Sequence, residues 1–434
     1  MGKISKNNLT INLNLNVRGL EQSSTLAINE RSNHLITQGI SIHKFGLGQS
    51  PFPVPEQVVE SLRRNAHQKD YLPVKGLLSL REAIAHFNYK YQRIDSSPEH
   101  ILIGPGSKEL IFILQLVYYG DLIIPTPSWV SYFPQARIIG RHVHWVPTSA
   151  SDGYRLSPEK LDMICRTDPH RPRIVILNYP SNPTGCTYPT DKLKQLATVA
   201  RKYRVVLISD EIYGMIHHQG QHVSIARFYP EGTIISSGLS KWCGAGGWRL
   251  GTFTFPAELS WLQEAMAIVA SETYTSTSAP IQYAAVTAFE GGEFIDEYLD
   301  KSRRVLRYLA KIIRQKLIDA HIDVPAPNGG FYLFPNFSYY KEQLLRKGLP
   351  TSVEMCNQLL DDTGVALLPG MDFGHQPEEL VARLAYVDFD GKKVLETVEK
   401  EYADKKLTEN FIRETCPSIW DGIHKLISWF TQMK

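Results

Sequence analysis

The sequence predicts an α/β fold, with a mainly parallel sheet in a large domain and a smaller α+β domain beside it. Three observations point there. Short apolar runs of strand length recur through the middle of the 434 residues. Each run leads into a polar or Gly/Pro loop and then a helical stretch, and apolar residues at consecutive positions suit strands buried on both faces of a parallel sheet. Near Gly291 and Gly292 this alternation gives way to one long helical stretch and then to PNGGFYLFPNF, which reads as the start of a second unit.

Taken in chain order, the Asn-rich start MGKISKNNLTINLNLNV has no apolar h-region, so no secretory signal is expected. A helix is predicted over Leu26 to Gln38, then the Gly/Pro-punctuated segment FGLGQSPFPVP, then a second helix through PEQVVESLRRNAH. The clearest strand runs are Leu122–Ile124, Ile174–Leu177, Val205–Ile208, Ile234–Ile235 and Thr252–Phe255. The stretch EFIDEYLDKSRRVLRYLAKIIRQKLIDAH keeps apolar residues at helical spacing. The last segment, CPSIWDGIHKLISWF, puts Ile419, Ile423, Leu426, Ile427 and Phe430 on one face, as for a helix docked on the smaller unit. The expected division is a large domain over 46–295 and a small one formed by 1–45 with 296–434.

Composition narrows the function classes. Apolar residues make up 43% and charged ones 21%, which excludes a disordered chain. A net charge of +3 gives no global basic field, so no nucleic-acid partner is expected. No stretch approaches the roughly 18 apolar residues of a membrane span. The five cysteines are an odd number without a CxxC pair, which argues for reduced thiols in a cytoplasmic protein and against a metal site.

Four polar clusters follow predicted strands, where open α/β sheets bind ligands. In GPGSKELIF, Gly106 and Ser107 open a helix whose free N–H groups favour a phosphate; alone, an ordinary capped helix accounts for it equally well. IPTPSWVSY sets Trp129 just after a strand, able to stack on a planar ring. LNYPSNPTG holds Asn182 in a loop between prolines, where a turn role is the commoner one. VVLISDEIYG delivers Asp210 from an apolar strand, with Tyr213 three residues on; a helix cap would explain Asp210 as well. The decisive segment is SSGLSKWCGAGGWRLG, Ser236 to Gly251. Lys241 lies there among small and apolar residues, with Arg249 eight positions later. Desolvation and a nearby cation depress a lysine's pKa and leave a nucleophilic amine. A structural lysine paired to a carboxylate is the alternative.

Together these clusters resemble the class I/II (fold-type I) aminotransferases, which use pyridoxal 5′-phosphate. GLSKWCGAGGWRLG fits the class I attachment pattern at its constrained positions, and SNPTG, DEIY, YLPVKGLLSLREAIA and LLPG stand in the family's order over about Thr25 to Lys406. The resemblance implies the pyridoxal-phosphate-dependent transferase fold and a ping-pong exchange of an amino group between an L-amino acid and a 2-oxo acid. It also implies roles. Lys241 carries the cofactor as a Schiff base and Asp210 pairs with the ring nitrogen. Asn182 and Tyr213 bond the phenolate oxygen, and Trp129 stacks on the ring. Gly106, Ser107, Lys108 and Arg249 hold the phosphate. Tyr71, in YLPVKG, reaches the phosphate of a neighbouring subunit in a homodimer. Arg383, in VARLAYV, clamps the substrate α-carboxylate, Asn182 assists, and the Gly48 backbone approaches the substrate. The chain departs from the pattern at Gln49 and Pro51, where the family often has Glu and Asp. It departs again at Gly238, where relatives often carry a phosphate-binding Ser; Ser237 or Ser240 is the expected replacement. Substrate-reading residues are expected within 131–137 and 271–278. Two other functions fit the same motifs: another reaction of this cofactor, by a lyase or an aminocyclopropane-carboxylate-synthase-like enzyme, and a regulatory protein with an aminotransferase-like sensor. A sensor of that kind carries a DNA-binding module in front, where this chain has only the leader 1–24.

Overall fold

The apolar runs of the middle segment build one seven-stranded sheet. The computed structural model describes residues 12–433, so the first eleven residues of the Asn-rich leader lie outside it. Its strands are β1 (His43–Lys44), β2 (Ile101–Gly104), β3 (Asp121–Thr126), β4 (Val143–Pro147), β5 (Arg173–Asn178), β6 (Val206–Asp210), β7 (Thr233–Gly238), β8 (Gly251–Thr254), β9 (Tyr332–Leu333), β10 (Val365–Ala366), β11 (Leu368–Pro369) and β12 (Ala382–Ala385). The large sheet has the order β2-β8-β7-β6-β5-β3-β4. Every neighbouring pair from β7 to β4 is parallel, and β8 runs antiparallel to both β2 and β7.

Side chains on a strand alternate between faces, so a consecutive apolar run feeds two cores at once. Leu122, Ile124, Ile174, Ile176, Val206 and Ile208 pack with the helices Ser107–Val117 and Ser260–Thr273. Their neighbours Ile123, Val175, Leu177 and Leu207 pack with Pro158–Arg166 and Thr190–Lys202 on the opposite face. The carboxyl ends of three adjacent strands then line up in register, Asn178 beside Asp210 and Asp210 beside Ser236. That row of polar residues at the end of an apolar sheet is where a ligand site belongs.

Two small sheets complete the fold. β1 pairs with β10 in parallel, and β12 lies between β11 and β9 in an antiparallel three-stranded sheet. Ala385 pairs with Tyr332, so Arg383, two residues along β12, sits diagonally from Tyr332 on the same face. The helix Glu293–Asp319 buries Ile295, Leu299, Leu306, Leu309, Ile313 and Leu317 along one stripe. The first predicted helix spans Ser24–Thr37. The terminal helix Pro417–Thr431 buries Ile419, Ile423, Leu426 and Phe430. Phe430 stacks on Phe337 at 4.5 Å, and a side chain at Gly422 would meet the Phe45 ring at 2.5 Å. The His43 ring bonds Ser418, whose hydroxyl donates to Asp388, and Asp388 accepts the Lys44 backbone N–H. Among the described residues no helix is long and apolar enough to cross a membrane.

Candidate active site

A cavity of about 570 Å³ opens at the carboxyl ends of β5, β6 and β7, and Arg383 of the small sheet closes its far side. Of the residues expected at a site, Gly48, Ser107, Lys108, Trp129, Asn182, Asp210, Tyr213, Ser240, Lys241, Arg249 and Arg383 line it. Gly106 stands immediately behind Ser107. Tyr71 does not join them; it is 88% exposed on the surface loop before the helix Leu78–Gln92. A larger hollow of about 680 Å³ surrounds Tyr119 and Arg141 at the opposite ends of β3 and β5 and contains none of the expected residues.

Lys241 extends into the cavity and donates from Nζ to the Gly48 carbonyl at 2.8 Å. Its Nζ lies over the rings of Tyr213 and Phe331 at 5.7 and 5.8 Å. Burial above all, then the Arg383 and Arg249 charges, lower its pKa to about 8, against the opposing pull of Asp210. Among the described residues no carboxylate stands within ion-pair distance of it, unlike a structural lysine tied to an acid.

Asp210 ends β6 and is buried. Tyr132 donates to its Oδ2 at 2.5 Å, and Ser236 donates to Oδ1 at 3.3 Å. Burial nevertheless raises its carboxyl to about 6. Asn178 fastens the neighbouring loop: its Nδ2 donates to the Asp210 carbonyl at 3.0 Å and its Oδ1 accepts the Asn182 N–H at 2.7 Å. Asn182 thereby presents its Oδ1 to Arg383 Nη1 at 3.0 Å. Arg383, 1% exposed, also donates from Nη2 to the Gly46 carbonyl at 2.5 Å, and its guanidinium lies over the rings of Tyr332 and Phe373 at 4.7 and 5.2 Å. Its Nε has no partner, and among the described residues no carboxylate pairs with it. A buried cation left with free donors is suited to an incoming carboxylate.

At the other end, Gly106 precedes the helix Ser107–Val117 with φ +94°, and a Cβ there would lie 2.1 Å from Arg249 Nη2. A Cβ on Gly251 would strike the Ser107 nitrogen at 2.1 Å. These glycines let the helix N-terminus, its free N–H groups and Arg249 crowd one spot, a cradle for a phosphate. Lys108 reaches over Trp129 with Nζ at 5.2 Å from the ring. Gly238 has a local cause: a side chain there would meet the Leu250 carbonyl at 2.6 Å. Phosphate cradle, aromatic wall, buried carboxylate and desolvated lysine follow one another across the cavity. That donor set fits a flat, phosphorylated pyridine aldehyde.

Reading the sequence missed Tyr132, Asn178 and Tyr332. Tyr132 lies in the stretch 131–137 expected to read the substrate, yet its hydroxyl bonds Asp210; its spacing of three from Trp129 was the available signal.

The profile of the family Aminotransferase class I and II matches residues 41–388. The aspartate aminotransferase of Geobacillus stearothermophilus is 33% identical over 380 residues, 85% of this chain and 93% of that protein. The aspartate/prephenate aminotransferase of Thermus thermophilus is 31% identical over 366 residues, 83% and 91% of the two chains. The solved structure of Thermus thermophilus aspartate aminotransferase with maleate superposes with a TM-score of 0.80 at 29% identity, covering 89% of this chain and 98% of that one. The fold, the motifs in their order and these likenesses agree: the chain belongs to the class I and II aminotransferases, enzymes that transfer amino groups with pyridoxal 5′-phosphate.

Proposed function

We propose that amino transfer in this protein proceeds through Lys241, on the strength of one observation: its desolvated amine shares one cavity with the buried Asp210 and with Arg383, whose Nε is unpaired. Pyridoxal 5′-phosphate, when bound, supplies the sink for the electrons released at the substrate α-carbon. Lys241 holds it covalently at rest, takes the α-proton from the amino acid and later returns one. Asp210 keeps the ring nitrogen protonated, which its burial makes effective because the charge is not dissipated in water. Asn182 and Tyr213 serve the ring oxygen, Trp129 the ring face. Gly106, Ser107, Lys108, Ser240 and Arg249 serve the phosphate. Arg383 forks the α-carboxylate common to amino and oxo acids, and the free Nε supports that role. Gly48 admits the substrate backbone beside it.

The active species is a homodimer in the cytoplasm, with Tyr71 completing the partner's phosphate site. The exposed Tyr71 loop adjoins an apolar surface: Lys75 reaches Glu264 at 2.5 Å, and Trp261 and Ile268 lie exposed on the same face of the helix Ser260–Thr273 as Glu264. These exposed apolar side chains beside the loop support an interface there. The five cysteines are all free and buried, in keeping with a reducing compartment.

The test is a half-reaction. Given an amino acid alone, the enzyme converts its cofactor to the amine form and the absorbance of the lysine-bound form is lost. Retention of that absorbance with steady release of product would instead establish a lyase. Borohydride reduction and peptide mapping locate the attachment, and label on any lysine but Lys241 overturns the assignment.

A further inference from the structure

We propose that Tyr332 is a positioning residue that links Arg383 to Tyr213, and so couples the carboxylate end of the site to the ring-oxygen end; this rests on the roles assigned above to Lys241, Tyr213 and Arg383. Tyr332 lies in PNGGFYLFPNF, a segment with no chemical role in the sequence reading. Three other aromatic positions of that segment, Phe331, Phe334 and Phe337, are phenylalanines that are as deeply buried. Packing there therefore has no need of a hydroxyl, and a buried phenol without a partner is costly. The one at 332 has its partner inside the site.

The geometry is specific. The Tyr332 hydroxyl lies 2.8 Å from the Tyr213 hydroxyl. The Gly48 carbonyl is 3.5 Å away, too far to compete well, and already accepts Lys241 at 2.8 Å. The Tyr332 ring carries the Arg383 guanidinium at 4.7 Å, a contact set by the diagonal register of β9 and β12. The hydroxyl is also boxed in: a Cβ on Gly48 would stand 1.9 Å from it. Glycine at 48 thus leaves room for this phenol, apart from any approach of substrate.

The direction of the bond follows from what Tyr213 must do. Tyr213 can offer its proton to the cofactor's ring oxygen only if it accepts, rather than donates, at Tyr332. With Tyr332 as donor, the two hydroxyls form a chain in which each bond strengthens the next. The Arg383 cation over the Tyr332 ring favours that polarity by drawing electron density from the donor. A carboxylate arriving at Arg383 offsets the cation and weakens the chain. Substrate binding is thereby felt at the ring oxygen through Tyr332 as well as through Asn182.

The experiment is a spectrophotometric pH titration of the lysine–cofactor linkage in the substrate-free holoenzyme, for wild type, Tyr332→Phe, Tyr213→Phe and the double variant. Tyr213 stabilises the unprotonated linkage, so removing its support raises the midpoint. Tyr332→Phe is expected to raise it by on the order of one pH unit, and to lower kcat/KM about tenfold for every amino acid accepted. In the Tyr213→Phe background the same substitution is expected to move the midpoint no further, because the chain is already cut. An unchanged midpoint in Tyr332→Phe, or an undiminished shift in the double variant, overturns the proposal. If Tyr332→Phe fails to take up cofactor, a ring-fluorinated tyrosine introduced at position 332 decides: its more acidic hydroxyl donates more strongly and is expected to lower the midpoint, and a wild-type midpoint there overturns the proposal too. Failure of the underlying reading shows differently, as a Tyr213→Phe enzyme that titrates like wild type.

Discussion

Replacing Tyr132 with phenylalanine removes one oxygen atom and leaves the ring packed against Trp129 at 5.3 Å. The lost hydroxyl is the donor to Asp210 Oδ2, a bond of 2.5 Å between two buried groups. A hydrogen bond to a charged acceptor contributes about 1.5–3 kcal/mol, or about 1–2 pH units at 1.36 kcal/mol each. Burial lifts the Asp210 carboxyl to about 6 in the cofactor-free protein, against the opposing pull of the Tyr132 bond. Tyr132→Phe is therefore expected to raise it further by about 1–2 pH units, so that about half or more of the group is protonated at neutral pH. If the same stabilisation acts in the rate-limiting step, kcat falls about 10–150-fold. Isotope-edited infrared titration of the carboxyl stretch, with Asp210→Asn as the blank, reads the first quantity in cofactor-free protein. Steady-state kinetics read the second. A carboxyl that titrates at the wild-type midpoint, with kcat within threefold of wild type, would refute the reasoning.

Other outcomes follow from the same site. Because the folded-state pKa of Asp210 lies above its ordinary 3.8, the stability this group contributes is present below that value and lost as pH rises through about 6. In cofactor-free protein Asp210→Asn is thus expected to raise Tm at pH 7, by roughly 1–3 kcal/mol of stability, and to change it little at pH 4; equal shifts at both would exclude a buried charge. The rate at which cofactor-free protein takes up pyridoxal 5′-phosphate covalently is expected to rise with pH to a midpoint near 8, set by the depressed Lys241 amine, and Lys241→Ala should retain only noncovalent binding. Arg383→Lys is expected to cost on the order of 2–4 kcal/mol in kcat/KM, equally for all amino acids, whereas a loss confined to one side chain would make Arg383 a specificity residue. Mixing Lys241→Ala subunits with Tyr71→Phe subunits is expected to recover activity through hybrids that hold one intact site; a fully active monomer in sedimentation would exclude the shared site.

Five strands buried on both faces were legible because their sequences are apolar without interruption, as in Ile174–Leu177; β2, Ile101–Gly104, is not among them although it is buried throughout. β4 was not: it pairs only with β3 at the edge, and His144 and Pro147 are exposed, so VHWVP never forms such a run. The site residues that could be read sit in motifs whose composition is odd for their place, such as a lysine among glycines. Tyr132 and Tyr332 were illegible because a tyrosine in an apolar segment is an ordinary core residue. Only the meeting of Tyr132 with Asp210, 78 residues away, and of Tyr332 with Tyr213, 119 away, gives their hydroxyls a meaning. Long-range pairing of this kind leaves little local trace beyond a hint such as the spacing of three between Trp129 and Tyr132. Gly238 shows the converse: it read as a missing phosphate ligand, whereas the close Leu250 carbonyl leaves no room for any side chain.

The helix Pro417–Thr431 lies beyond residue 388, where the family match ends, yet it grips the chain just ahead of two catalytically placed carbonyls. Ser418 and Gly422 hold His43 and Phe45, and Phe45 stands one residue before the Gly46 carbonyl that steadies Arg383 and three before the Gly48 carbonyl that meets Lys241. The rear of the binding pocket is thus adjustable from outside the shared architecture. A laboratory search for altered substrate preference has fertile ground in this helix, where a change of packing volume can tilt the 46–48 backbone while every group facing the substrate is kept. Evolution has had the same lever to hand, and retuning from behind leaves the recognisable motifs untouched.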